Sequence, residues 1–433
     1  MACALCKGSG LLWAGKQDDV CPLCDAVGGW PFEELTAEEL KKELLKLSPH
    51  DRRTYRIAVR QGRGVKAALE PRKGKARFKV MTQDRLRSLT VQYSQDESFG
   101  NALRHVLEEH GVAIVSHILS ADECADFEAL KLSECSLEAP LHKTGRRGSG
   151  DHCHGELAWK ARLHPRVRGC FAQIFATGDL SCSADQMGQF YTPRESAKIN
   201  AVNREWLHVD QNVLTGSVHR CYQGVLYIWS SENEGSTTAV WPGSHGKEHY
   251  GQLMQDPVAA AYARRVDEFG VKCGQFVPLS AMEDQARRDD LHRAALMGTV
   301  RVPVPAGSLL LWDSRITHQG WQSGPRLAVP VCWEPRERVS LEATARKIRM
   351  AFLGVPSTHS PSEGHMHPNF RGYVLQRTAL RPYSTKPPEE MLDGAWEELY
   401  PPDAWQRPVE EVMAELPLEE VSEALRPEIM SVL

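Results

Sequence analysis

Short apolar segments rich in β-branched residues follow one another from about residue 185 to residue 335, and glycine or proline turns separate them. In chain order they read VLYIWS, TTAVWPGSH, TVRVPVPAGSLLLWDS and RLAVPVCW. Segments of this kind predict β-strands, and a series of them between such turns is typical of a double-sheet sandwich or jelly roll. The sequence therefore predicts a mainly β fold for this part of the chain, with helices on either side.

Helical signals precede the predicted strands. The segment FGNALRHVLEEHG predicts a helix that ends at Gly111, and GVAIVSHIL then predicts a short strand. Ser120 and Glu123 have the spacing of a capping box, which predicts that another helix begins there.

The rest of the chain divides into further parts. Residues 252–298 are charged and helix-like, which indicates an insertion between strands. Thr36 and Glu39 form a second capping box before a short leucine-rich helix, and Pro71 and Gly74 interrupt the basic stretch that follows. The predicted parts are a four-cysteine module at 1–30, a helix and basic linker or arm at 31–95, the jelly-roll domain at 96–340, and a loop and helical acidic extension at 341–433.

The overall composition is that of a globular protein, with 433 residues, 42% hydrophobic residues and a net charge of −4. No run approaches the roughly 18 apolar residues that span a bilayer, and the first ten residues lack the features of a secretory signal. The 12 cysteines do not form a disulfide framework, which suits a reducing compartment. We therefore expect an intracellular protein of the cytoplasm or nucleus.

Charge is distributed unevenly along the chain. Residues 51–87 hold roughly 13 Lys/Arg against about 3 Asp/Glu, and residues 389–428 hold roughly 13 acidic residues against about 2 basic ones. A basic stretch can bind phosphate backbones, so nucleic acid is one partner to consider. The alternative is a solvated surface that offsets the acidic tail of the same chain or of a partner.

Four cysteines cluster at the N-terminus as two CxxC pairs. They are Cys3, Cys6, Cys21 and Cys24. Two such pairs at this spacing suit one tetrahedral zinc site with four thiolate ligands, and the glycines after each pair suit tight turns. The alternative is four unrelated thiols. The sequence therefore predicts a structural zinc module resembling a zinc ribbon.

The residues that carry chemistry lie in the β region. His208 and Asp210 are two residues apart, so on a strand their side chains would project to the same side. His318 follows the turn at Gly307 and the segment SLLLWDSRIT, and from a facing strand it would complete a set of three ligands. Two imidazoles and one carboxylate form the facial triad of non-haem Fe(II) oxygenases, which leaves coordination positions open for a cosubstrate and O2.

Three further side chains are candidates for cosubstrate binding. Arg326 follows His318 on the next predicted strand, where its guanidinium could point into the same cavity and pair with a carboxylate. Gln211 and Gln223 could each reach the cosubstrate or the substrate, or they could make structural hydrogen bonds. The sequence leaves both readings open for each glutamine.

An ordered set of motifs resembles the phytanoyl-CoA dioxygenase-like family over about residues 100–335. The motifs are WLHVDQ at 206–211, GSTTAVWPGSH at 235–245, the stretch from Gly307 through Trp312-Asp313 to His318-Gln-Gly, and Arg326, after an opening GVAIV at 111–115. The resemblance implies a double-stranded β-helix core, with His208, Asp210 and His318 as Fe(II) ligands. It also implies Arg326 as the anchor of the distal carboxylate of 2-oxoglutarate.

The resemblance further implies a hydroxylase that uses O2, couples oxidation to decarboxylation of 2-oxoglutarate to succinate and CO2, and is assisted by ascorbate. Related halogenases replace the carboxylate ligand with a small residue, so Asp210 favours hydroxylation. Two alternatives remain. The same chemistry could be directed to a nucleic acid or a protein through the zinc module and basic arm, or the chain could be a non-catalytic zinc-ribbon interaction protein. No motif identifies the substrate.

Overall fold

In a computed structural model, Ala76–Leu433 form one compact unit. The structure describes residues 78–136, 153–185, 205–215, 219–232, 236–265, 274–282, 285–321, 326–367, 399, 403 and 407–433. The four-cysteine module, most of the basic arm and much of the acidic tail lie outside the described residues. The zinc site at Cys3, Cys6, Cys21 and Cys24 therefore stays a prediction.

The strands of the described residues form two larger sheets and one small one. They are β1 Lys79–Val80, β2 Thr90–Gln92, β3 Val112–Ser116, β4 Leu180–Cys182, β5 His208–Val209, β6 Tyr222–Tyr227, β7 Thr237–Val240, β8 Val277–Pro278, β9 Val300–Arg301, β10 Ser308–Asp313, β11 His318–Trp321, β12 Ala328–Val331 and β13 Trp333–Pro335. The six-stranded sheet has the order β1-β9-β7-β11-β5-β8, the five-stranded sheet has the order β12-β6-β10-β3-β2, and β13 pairs with β4. These mixed sheets with flanking helices fit the jelly-roll core that the sequence predicts.

Helices surround the sheets. In chain order they are α1 Gln83–Leu89, α2 Glu97–His110, α3 Ala121–Ser136, α4 Glu156–Leu163, α5 Pro165–Phe175, α6 Tyr250–Gln255, α7 Pro257–Ala263, α8 Gln285–Gly298, α9 Leu341–Leu353, α10 Val409–Glu415, α11 Leu418–Ala424 and α12 Pro427–Met430. Among the described residues, every helix falls short of the length and apolar character that a bilayer-spanning segment needs.

Local signals set the bounds of the first helices of the domain. The Asp96 carboxylate caps α2 by accepting the Phe99 N–H at 3.0 Å, and Gly111 ends that helix with a φ of 70°. The capping box before α3 is confirmed, because the Glu123 N–H donates to the Ser120 hydroxyl at 3.1 Å and the Ser120 N–H donates to the Glu123 carboxylate at 2.7 Å.

Side-chain alternation along β10 shows how the sheets build the core. Leu309 and Leu311 face the layer of flanking helices and belong to the largest buried cluster. Leu310 and Trp312 point the other way and pack with Val240 of the six-stranded sheet. The five-stranded sheet therefore has helices on one face and the other large sheet on its second face.

The insertion predicted at 252–298 packs on the outer face of the six-stranded sheet. Leu253, Val258 and Leu291 of its helices are buried in one cluster with Leu207 and Val209, which lie next to and within β5. The insertion also supplies β8, which pairs with the free edge of β5. Within this range the structure has helices α7 and α8 and part of α6, together with an edge strand that the sequence analysis did not predict.

The described chain joins both sheets soon after residue 78. β1 pairs in parallel with β9 in the six-stranded sheet, and β2 pairs in parallel with β3 in the five-stranded sheet. The end of the basic stretch and the residues that follow it thus contribute to the same compact unit as the jelly roll.

Replacing Gly111 with alanine should destabilise the fold. The residue has a positive φ, and an added Cβ would collide with the His245 imidazole, so Gly111→Ala should lower the free energy of unfolding by at least about 1–2 kcal/mol. Urea unfolding followed by fluorescence measures this. The matched control is Gly251→Ala in α6, where a new Cβ meets nothing within 4 Å and a small gain in stability is expected. Equal effects of the two changes would contradict this account of Gly111.

Candidate metal centre

Two histidines are brought together by strand pairing. His318 in β11 lies directly opposite His208 in β5, and the two strands are antiparallel neighbours in the six-stranded sheet. Side chains at directly opposed positions leave the same face of a sheet. The sequence analysis placed His318 on a facing strand, whereas the structure places it on the adjacent strand of the same sheet. Since both rings emerge on one face, they lie close together, with centroids 4.4 Å apart.

Asp210 completes the group just beyond the end of β5. Its N–H donates to the Ser314 carbonyl at 2.9 Å, which fixes the backbone of Asp210 next to the turn that precedes β11. The Oδ2 atom of Asp210 is 3.6 Å from Nε2 of His208 and 3.3 Å from Nε2 of His318. One ligand atom from each residue lies within 4.8 Å of the other two, and this is the one cluster of the kind within the described ranges.

The other ring nitrogen of each histidine is held by the backbone. Nδ1 of His208 lies 3.0 Å from the Trp206 carbonyl, and Nδ1 of His318 lies 3.0 Å from the Ile316 carbonyl. A carbonyl can only accept, so each Nδ1 carries the hydrogen in the neutral ring, and each Nε2 presents a lone pair toward Asp210. This orientation by a backbone acceptor is what metal-ligating histidines usually have.

Electrostatics favour the charge state that a divalent metal requires. Burial lowers the pKa of His318, and the neighbouring His208 lowers it further, which keeps the His318 ring neutral at pH 7. Burial alone would raise the pKa of Asp210, but the interactions with His208 and His318 outweigh it and hold that pKa well below its usual range. Two imidazoles and one carboxylate are the ligand set of a non-haem iron site.

The two candidate glutamines occupy different places. Gln223 on β6 of the five-stranded sheet donates its amide to Asp210 Oδ2 at 3.1 Å and lies 3.3 Å from the Ser314 hydroxyl, so it contacts a triad member from the opposite sheet. Gln211 uses its amide on the backbone of residues 219–221, donating to the His219 carbonyl at 2.5 Å. For Gln211 the geometry matches the structural reading that the sequence left open.

Arg326 lies between the two large sheets, just before β12. Its Nη2 is 3.4 Å from the Tyr227 hydroxyl, and its Cζ is 5.3 Å from the centroid of that ring. Its Nε atom is buried and has no hydrogen-bond partner within the described part of the chain. Gln223, which contacts Asp210, and Tyr227 share one face of β6 four residues apart, or roughly 13 Å between Cα atoms. The side chain of Arg326 and the triad therefore both contact the inner face of β6.

A buried carboxylate beside the triad belongs to one of the sequence motifs but was not predicted as a site residue. Asp313 is fully buried, and its Oδ1 accepts hydrogen bonds from both the N–H and the Nε of Arg315 at 2.9 Å. Arg220 lies 3.3 Å from its other oxygen. The Asp313 carbonyl accepts the Ile316 N–H, which closes the turn whose Ser314 carbonyl holds Asp210. The signal in the sequence was an acidic residue two positions before a basic one in a short turn, which is too common to single out.

Two aromatic residues beside the triad were also missed as site residues. The rings of Trp206 and Phe276 each have their centroid 4.6 Å from that of His208. Trp206 stands two residues before His208, so the period of a strand could have placed it on the same face. Phe276 lies in the insertion, next to β8, and no local sequence pattern predicts its contact with His208.

Removing the Asp313 carboxylate should loosen the turn and weaken the metal site. Asp313→Ala leaves the Arg315 guanidinium in a largely buried place without its acid, which should cost about 3–5 kcal/mol of unfolding free energy. Affinity for Co(II), used as a spectroscopic probe, should fall in parallel because Asp210 and His318 lose their common support. The control is Asp84→Ala, which removes an exposed ion pair with Arg87 and should change stability by less than about 1 kcal/mol. Unchanged Co(II) affinity in a folded Asp313→Ala protein would argue against the positioning role.

Comparison with known proteins gives a family match over this part of the chain. The family model described as phytanoyl-CoA dioxygenase matches residues 107–326, a range that includes the three triad residues and Arg326. The Ava biosynthesis cluster protein O of Aspergillus versicolor is 24% identical over 215 residues, which cover 48% of this chain and 64% of that protein. This chain thus spans just under two thirds of that curated relative.

Solved structures similar to this chain include two that contain iron. The epimerase SnoN in complex with Fe3+, α-ketoglutarate and nogalamycin RO is 14% identical, with 55% of this chain and 84% of that chain covered and a TM-score of 0.34. EctD from S. alaskensis with bound Fe is 13% identical, with 62% and 83% covered and a TM-score of 0.36.

Proposed function

We propose that this chain, which belongs to the phytanoyl-CoA dioxygenase family, is an Fe(II)- and 2-oxoglutarate-dependent dioxygenase that hydroxylates its substrate. The observation that carries this proposal is the buried group of His208, Asp210 and His318, whose ligand atoms lie within 4.8 Å of one another. When bound, Fe(II) supplies redox chemistry with O2 and 2-oxoglutarate, and the latter is decarboxylated to succinate and CO2. The family match supports a dioxygenase-type activity, and the triad supports iron as its metal.

Each triad residue has a defined task in this proposal. The Nε2 atoms of His208 and His318 bind the metal, while their Nδ1–H groups stay on backbone carbonyls and prevent the rings from turning. Asp210 supplies the one negative charge, and Gln223 steadies its carboxylate with a hydrogen bond. Related halogenases have a small residue in place of this carboxylate, which makes room for a halide. Because this chain has Asp210 there, we propose hydroxylation and not halogenation.

Arg326 is proposed to bind the distal carboxylate of 2-oxoglutarate. Its guanidinium has a donor free for such a bond at Nε, and the Tyr227 hydroxyl lies beside it. Val225, Leu310 and Trp312 line the space between the sheets along β6 and β10 and keep it apolar. A charge-assisted pair is stronger in such a place than in water, so the arginine can orient the cosubstrate toward the triad.

The predictions for the N-terminal region remain proposals beside this one. A zinc site at the four cysteines predicts about one zinc per chain that survives mild chelation and is lost in Cys21→Ser.

Nucleic-acid binding through residues 51–87 predicts an affinity that falls steeply with salt. Absence of binding at low salt in the intact protein would contradict this prediction.

Replacing a triad ligand should abolish turnover that is tied to the metal. His208→Ala should lower succinate formation from 2-oxoglutarate, with Fe(II) and ascorbate supplied, by more than about 100-fold, since even partners of metal ligands are worth 10- to 100-fold. The surface variant His105→Ala removes an exposed imidazole and should keep wild-type turnover. If His208→Ala turns over like the control, the triad assignment is wrong.

Replacing Arg326 should separate cosubstrate binding from metal binding. Arg326→Gln should raise the Kd of 2-oxoglutarate about 10- to 100-fold, because it removes a charged hydrogen-bond donor to a carboxylate. Affinity for Fe(II) should not change. Anaerobic titration of the Fe(II) protein with 2-oxoglutarate, followed by absorbance, measures the first, and titration of the metal-free protein with Fe(II) measures the second. Tyr227→Phe, which removes only the hydroxyl, should have a smaller effect, and a larger effect than that of Arg326→Gln would shift the anchor role to Tyr227.

A further inference from the structure

Exposed aromatic surface is concentrated at one metal ligand. Trp206 is 47% exposed and Phe276 is 38% exposed, whereas His208 between the two contacts is only 3% exposed. The Trp206 ring stacks on the imidazole at an interplanar angle of 20°, and the Phe276 ring lies at 36° to it. Large apolar side chains that stay open to solvent beside a buried polar site are typical of ligand-binding surfaces.

Trp206 is held in place by its backbone. Its N–H donates to the Gln319 side chain at 2.9 Å, and its carbonyl accepts the Nδ1–H of His208. A Cβ at Gly320 on the neighbouring strand would lie 3.5 Å from Cζ2 of Trp206, an ordinary van der Waals distance, so the indole lies close against that strand. The ring is therefore oriented before any ligand arrives.

Phe276 is held by its neighbours in the chain. The two residues after it pair with β5, with Pro278 opposite His208. The Gln275 side chain before it accepts the Asn212 N–H at 2.8 Å and donates to Thr215 Oγ1 at 2.9 Å and to Glu363 Oε1 at 2.5 Å. A ring fixed from both sides loses little conformational entropy when it binds a ligand.

The charged groups next to the two rings are already matched. Glu205, which precedes Trp206, lies 2.9 Å from the His292 ring. Glu363 accepts a hydrogen bond from Gln275, the residue before Phe276. The exposed surface of the two rings is aromatic, and the carboxylates beside it already make contacts within the protein. Such a surface favours a neutral planar ligand over a cation.

We propose that Trp206 and Phe276 form an aromatic subsite that binds a planar, unsaturated group of the substrate beside the metal. This inference rests on the proposed function and adds a substrate class to it. A planar group gains stacking on the open ring faces as well as burial, while a saturated group of the same size gains burial alone. The subsite places such a group on the two rings that pack against His208, near the reacting centre.

The test compares two probes of equal carbon skeleton on the full-length protein. 2-Naphthol is planar, decahydro-2-naphthol is saturated, and tetramethylammonium serves as a cationic probe. Binding is measured by ligand-observed NMR, with Fe(II) and 2-oxoglutarate present under anaerobic conditions and again without them. Wild type should bind 2-naphthol at least about fivefold more tightly than the saturated alcohol. Equal affinity for the two alcohols, or a preference for tetramethylammonium, would overturn the subsite.

Variants locate the binding. Trp206→Leu and Phe276→Leu keep apolar bulk but remove the ring, and each should weaken 2-naphthol binding about two- to tenfold. Trp206→Phe should restore most of the loss, and Leu341→Ala, an exposed apolar residue on α9, should change nothing. Wild-type binding in both leucine variants would overturn the proposal, and Phe276→Leu still decides it if Trp206→Leu does not fold.

The two proposals fail separately. If 2-naphthol binds with the expected preference but neither Fe(II) binding nor succinate formation is found, the oxygenase function is wrong and the subsite stands. If succinate forms but the probes are not distinguished, the function stands and the subsite is wrong.

Discussion

The candidate site depends on one antiparallel register, in which His208 of β5 lies opposite His318 of β11. A shift of one residue would turn one imidazole to the outer face, where Leu207 and Val209 are packed under the insertion. β5 has only two residues, so it cannot hold this register by itself. Its second edge is paired with β8, and the hydrophobic cluster of the insertion covers its back. The insertion thus supports the candidate metal site without providing one of its three residues.

The neighbouring carboxylates of Asp210 and Asp313 have different partners and therefore different roles. Asp313 is neutralised by Arg315 and Arg220, so it acts on the backbone, closing the turn between β10 and β11. Asp210 faces two imidazoles and an amide, and no arginine is paired with it in the described residues, so its charge is available to a metal. The Ser314 carbonyl links the two by accepting the Asp210 N–H. The separation of charges keeps the buried region stable and still leaves one carboxylate for chemistry.

Short sequence patterns predicted the features that depend on interactions between residues close together in the chain. Helix α2 with its Gly111 cap, the capping box before α3 and the shared side of His208 and Asp210 all follow from spacings of a few residues. The register of β5 with β11, the contact of Phe276 with His208 and the pairing of β8 involve segments far apart in the chain. Those contacts are selected by packing of the whole domain, which no short pattern encodes. Gln211 shows the same limit, because an amide beside a metal motif has the same sequence signal whether it binds a ligand or the chain's own backbone.

The two large sheets contribute different side chains to the region around His208. The six-stranded sheet supplies both imidazoles, and the five-stranded sheet approaches from the inner side with Gln223 at Asp210 and with Tyr227 beside Arg326. The inner side is buried and apolar along β6 and β10, which suits a small dicarboxylate that must be held away from water. Trp206 and Phe276 are the members of this group that remain open to solvent. If the proposed cosubstrate occupies this inner side, Trp206 and Phe276 are the exposed aromatic rings, among the described residues, that a substrate meets beside the triad.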